Sequence, residues 1–201
     1  MDVKLSDHFT YKRLFKFTIF SIVMMVFNSI YGVVDGLFVS NFVGKTPFAA
    51  VNLIFPYIFI LVTLGFMLGT GGSAIVAKKL GEKNDKKANE LFSLFVYVTI
   101  IAGIVFSFIG YFTLKPVAML LGASGQLLQD CLTYGKILIF VVPFYMLQME
   151  FQSFFVTAEK PHLGLAISVI SGVSNIVLDF LFIIVFKLGF IVFEKLVFEF
   201  T

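Results

Sequence analysis

Long apolar runs, broken by short polar clusters, divide the chain into five segments. A helix that crosses the hydrocarbon of a bilayer needs roughly 20 mostly apolar residues. The runs predict five such helices, near Leu14–Ser40, Phe48–Ala77, Leu91–Leu114, Leu132–Ala158 and Leu163–Phe186. Turn formers and charges fill the links: "GKTP" at 44–47, "KKLGEKNDKKANE" at 78–90, "KPVAMLLGASGQ" at 115–126 and "EKPH" at 159–162. The second run is overlong, so a tilt or a bend near Gly69 to Gly72 is expected. The predicted fold class is all-α integral membrane. No internal repeat and no low-complexity linker separates the five segments.

Composition agrees with that pattern. The chain has 201 residues, of which 59% are hydrophobic and 13% charged. Soluble domains carry about 25% charged residues, so lipid is the solvent this composition fits. A mean hydropathy of +1.01 makes the same point. The net charge of +3 carries no nucleic-acid signal; the position of the charges is more informative. Lysine and arginine gather on the side that bounds the cytoplasm. The N-terminal segment holds Lys4, Lys12, Arg13 and Lys16, the 78–90 link holds five lysines, and the fourth link holds Lys160. The opposite side holds Lys45, Lys115, Lys136, Lys187 and Lys195. Ten against five places the N-terminus in the cytoplasm. The first apolar run is too long for a signal-peptide core and reads as a spanning helix.

Several chemistries fall away. Cys131 is the only cysteine, so the chain forms no internal disulfide and no cysteine metal site. His8 and His162 lie near membrane edges without ligand spacing. The glycines of "GTGGSAIVAKK" lack the phosphate-loop spacing and follow no strand, so a bend or a close helix contact explains them. No cofactor motif and no catalytic constellation is apparent.

Three acidic residues sit inside the predicted spans: Asp35, Glu150 and Asp179. A charge at a helix centre costs about 2.5–3.5 kcal/mol on insertion scales, so each should face protein or water. Asn28, Tyr31 and Asp35 fall on one stripe of the first helix, and Ser168, Ser171, Asn175 and Asp179 on one stripe of the fifth. At the helical rise, Asp35 lies roughly 30 Å and Asp179 roughly 24 Å from the cytoplasmic ends of their helices. Glu150, on a helix running inward, falls in the inner half, away from that pair. Two carboxylates and an amide oxygen suit a proton or a small cation. Without a bound cation, two close carboxylates in a low dielectric cannot both stay ionised cheaply, which makes the pair a proton carrier. The same residues could instead only join helices, with Gly32 and Gly36 marking a packing face. Glu150, with Gln148 and Gln152 beside it, either lines a cavity or reaches toward the inner interface.

The stretches "FNSIYGVVDGLFVSNFVG", "AAVNLIFPY", "GTGGSAIVAKKLGEKNDKKANELF" and "FQSFFVTAEKPHLGLAISVISGVSNIVLDFLFI" occur in this order and resemble the multidrug and toxic compound extrusion family. The likeness runs from about residue 10 to 188 and is strongest to the multidrug-export branch of Gram-positive bacteria and archaea. It implies a transporter, not an enzyme: an antiporter in a prokaryotic plasma membrane, exporting bulky and often cationic organic compounds against inward protons or sodium. Asp35, Asn175 and Asp179 match the residues that form the cation site of that family's N-terminal lobe. Asn28, Tyr31, Gln148 and Glu150 are candidate cavity-lining residues. No cofactor is implied, and no metal beyond sodium at the cation site.

The family's lobes have six helices each, whereas residues 1–188 supply five and so resemble an incomplete N-terminal lobe. The tail at 189–201, ending "FIVFEKLVFEFT", does not resemble the continuation into a sixth helix. A fragment that needs a C-terminal lobe as partner is one expectation; a nonfunctional remnant or a membrane assembly partner is another. An intramembrane aspartyl protease would need Gly-x-Gly-Asp where this chain has "IVLD". A lipid-linked precursor flippase of related fold fits less well than drug export, because of "SIYGVVDGLFVS".

Overall fold

The computed structural model describes residues 11–38, 41 and 45–181. Every regular element among them is helical: α1 Tyr11–Phe38, α2 Lys45–Gly81, α3 Asp85–Leu120, α4 Gly125–Thr157 and α5 Pro161–Asp179. The tail read as atypical, 189–201, lies outside the described residues. By length and composition α2, α3 and α4 can each cross a membrane, while Thr18–Val34 of α1 and Pro161–Val177 of α5 are shorter apolar stretches.

One expectation changes. The third link was to occupy 115–126, yet α3 continues through Pro116 to Leu120 and α4 already starts at Gly125. Packing overrides the proline: Leu114 and Ala118, on either side of it, are 1% and 0% exposed. The overlong second run forms one helix, α2, which continues through Gly69 to Gly72. The turns use local chemistry. Asn84 caps α3 by accepting the Lys87 N–H at 3.1 Å, and Pro161 opens α5 at its first turn, where a missing N–H is harmless.

Helices α2 and α4 run parallel, with α3 antiparallel between their contacts. Lipid offers apolar groups as good a solvent as a protein core, so close fit and not water exclusion must hold these helices together. Glycines supply the fit. A Cβ on Gly65 would lie 2.7 Å from Met146 Cα, and one on Gly69 2.8 Å from Glu150 Cα. On α3, a Cβ on Gly103 would lie 2.7 Å from Pro143 Cα. Hydrogen bonds reinforce the contacts: Ser107 Oγ donates to the Ile139 carbonyl at 2.8 Å, and Tyr57 Oη to the Gly110 carbonyl at 3.2 Å. Ile54, Val62, Val142 and Met146 are fully buried in the resulting core. Cys131 is buried there too, against Ala50.

Helices α1 and α5 pack mainly on each other and touch the three-helix unit lightly. This pair carries most of the candidate chemistry.

Candidate functional site on the paired helices

Two contacts fix the register of α1 on α5. The Phe20 and His162 rings meet edge-on at 6.5 Å, and a Cβ on Gly164 would lie 3.8 Å from Met24 Sδ. Both sequence numbers rise together, so the helices are parallel. Carrying that offset up the pair sets position 35 level with positions 175 to 177 of α5. Position 179 stands about 6 Å, one turn, above 175. Helix pitch alone thus brings the two stripes to a common height.

The α5 stripe turns inward: Asn175 is 2% and Ser168 8% exposed. On α1, Asn28 is half-buried. Tyr31, Asp35 and Asp179 lie within the helices, but their side chains fall outside the described residues.

Glu150 belongs to a different place. It stands about 10 Å from the C-terminal end of α4, whereas Asn175 stands about 21 Å from the same end of the bundle along α5. Its side chain is fully enclosed between α2, α3 and α4, and neither carboxylate oxygen has a hydrogen-bond partner. It therefore does not reach out to the interface. The Thr99 hydroxyl of α3, also fully buried and without a partner, faces it. Gln148, two residues away on α4, turns to another side and is partly buried. A carboxylate in such a setting needs a proton, a cation or ordered water beside it. Sequence reading singled out Glu150 by its depth but missed Thr99, which no spacing rule connects to it.

Comparison with known proteins places the chain in a family and its fold among solved structures. The MatE family model covers residues 21–181. The multidrug export protein MepA of Staphylococcus saprophyticus is 28% identical over 173 residues, which is 85% of this chain and 38% of that protein. The probable multidrug resistance protein YoeA of Bacillus subtilis is 24% identical over 153 residues, covering 76% of this chain and 33% of its own length. Among solved structures, a MATE in complex with MaD3S superposes with a TM-score of 0.84 at 21% identity, over 91% of this chain and 41% of that one. A MOP superfamily transporter from Pyrococcus furiosus gives 0.82 at 21% identity, over 90% and 40%. These structural matches establish the fold. The chain spans about two-fifths of the length of the proteins it matches. With the family model spanning most of its length, the chain belongs to the MatE family of multidrug and toxic compound extrusion transporters.

Proposed function

We propose that this chain forms the cation-coupling part of a drug exporter, and that the α1–α5 pair holds the coupling ion. The observation that carries this reading is the parallel register, which levels position 35 with Asn175 and sets position 179 one turn above. Asp35, Asn175 and Asp179 would bind a proton or sodium, and binding would bias the lobe between inward-open and outward-open forms. The lysine distribution supports a plasma-membrane setting with the N-terminus in the cytoplasm. The substrates would be bulky organic compounds, often cationic, passing between this lobe and a second one.

The test is accumulation of a cationic dye in pump-deficient bacterial cells. The chain is expressed alone, and together with the remaining helices of a MepA relative on a second chain. Gradient-dependent loss of dye with both chains, abolished by Asp35→Asn, is the expected result. Full dye retention with both chains inserted in the membrane would overturn the reading. It would leave the chain as an assembly partner or a remnant.

A further inference from the structure

The contact seam between α1 and α5 repeats one spacing on both helices. Met24, Asn28, Tyr31 and Asp35 of α1 advance by four, three and four residues. Gly164, Ser168, Ser171 and Asn175 of α5 advance by the same steps, which return to one face of a helix. The helices are parallel, and the Cβ position of Gly164 lies 3.8 Å from Met24 Sδ. Each α1 member therefore stands level with its α5 counterpart. An apolar rung at 24 and 164 is followed by three polar rungs, the last at Asp35 and Asn175. The first polar rung lies about 10 Å below the last, toward the end of α1 that the lysine count places in the cytoplasm. A separate cavity of about 1090 Å³, walled by Phe92, Phe151 and Phe154, has no residue of α1 or α5 in its lining and takes no part in this seam.

Hydrogen bonding separates the seam from the outer faces of the helices. Exposed hydroxyls there fold back on their own backbone: Ser29 donates to the Met25 carbonyl at 2.9 Å, Thr63 to that of Phe59 at 2.6 Å and Thr70 to that of Phe66 at 2.9 Å. In lipid, which offers no partner, this leaves no hydroxyl proton bare. Asn28, Ser168 and Ser171 behave differently. Among the described residues their side chains bond neither to their own helices nor to each other, although Ser168 is only 8% exposed. Polar groups that simply join two membrane helices bond directly across the contact. Level polar groups that leave the bond open are placed to bridge through water or an ion. Asp35 is the only charged residue between 24 and 35 or between 164 and 175, so no fixed cation competes for these oxygens. Below them the buried Met24 closes the seam in the space that Gly164 leaves, and its three torsions let it swing aside.

From this we propose that Asn28, Ser168 and Ser171 line the path by which the coupling ion leaves the Asp35–Asn175 level for the cytoplasm. Met24 against Gly164 is its inner plug. A proton travels on water held between these side chains, and sodium uses the same oxygens directly. The inference rests on the ion site proposed above and adds the route that serves it.

The test is thiol labelling of the full chain in inverted membrane vesicles. Cys131, buried and the only native thiol, is replaced by Ala, and Asn28→Cys, Ser168→Cys and Ser171→Cys are made singly in that background. Ile30→Cys and Ile170→Cys, at outward-facing residues 56% and 66% exposed, are the off-seam references. Lys86→Cys, in the exposed 78–90 hairpin, gives the open-water rate at each pH. The probe is trimethylammonioethyl methanethiosulfonate, which reacts with thiolates and so with thiols that water reaches. Relative to Lys86→Cys, the three seam variants should react at least about tenfold faster than the off-seam pair. Met24→Ala should raise the seam rates further. Sodium should slow them if it is the coupling ion, and acid if the proton is, and Asp35→Asn should remove that effect.

Seam variants as slow as the off-seam pair would overturn the path while leaving the ion site standing, because a dry seam is only a helix contact. Seam rates unchanged by Met24→Ala would overturn the plug. Fast labelling that ignores both sodium and pH would contradict the ion site itself, and the path with it. If Asn28→Cys loses its helical circular dichroism, the contrast of 168 and 171 with 170 on α5 decides the question alone.

Discussion

The α2–α3–α4 unit and the α1–α5 pair solve different problems within one lobe. The unit is built on backbone proximity, with glycines at 65, 69 and 103 each facing another helix too closely for a Cβ. The pair lacks that feature at Gly32, where nothing lies within 4 Å of the Cβ position. It carries instead the polar stripes that a membrane helix would otherwise avoid. The contrast separates a closely packed scaffold from a pair that carries the proposed ion site, an arrangement in which the pair could shift while its support stays fixed.

The largest expected effect is at Gly69. Adding one methyl to such a contact costs about 1–3 kcal/mol, and Gly69→Leu should exceed that and prevent folding of the unit. Gly32→Ala on α1 should leave the thermal midpoint in detergent unchanged. Equal loss in both variants would erase the distinction between the two regions. Next in size is Tyr57→Phe, which removes the hydrogen bonds to the Gly110 carbonyl and the Thr113 hydroxyl. Denaturant titration should show a loss of about 0.5–1.5 kcal/mol.

Lys83 closes α2 with φ of +56°, a left-handed conformation that suits glycine. Lys83→Gly should raise stability by about 1 kcal/mol in the same titration. The smallest effect is a pH dependence at the hairpin. The hydrogen bond from Lys79 holds the exposed Glu82 carboxyl below its ordinary value of 4.5. Its contribution is therefore present above that value and fades as pH falls through the lowered one. Amide protection at the 82–84 turn, relative to the intrinsic rate at each pH, should fall over that acid range, and Glu82→Gln should flatten the response.

Much of this division was legible in the sequence. Apolar runs bounded by charges gave five helices, and spacings of three and four gave the stripes on Asn28–Asp35 and Ser168–Asp179. Glycine positions announced close contacts without naming the partner, because Gly69 meets Glu150 across 81 residues of chain. Pro116 misled the boundary of α3, since burial of Leu114 and Ala118 outweighs one lost backbone hydrogen bond. The placement of Thr99 beside Glu150, and the cavity walled by Phe92 and Phe151, depend on three-helix geometry that no local pattern encodes.

The measurement closest to the central claim is hydrogen–deuterium exchange, resolved by helix, on the full chain in lipid across pH and sodium concentration. Protonation or sodium should slow exchange in α1 and α5 while α2, α3 and α4 stay unchanged. Asp35→Asn should make the pair insensitive. A uniform response of all five helices, or one that persists in Asp35→Asn, would contradict the assignment of the ion site to α1 and α5.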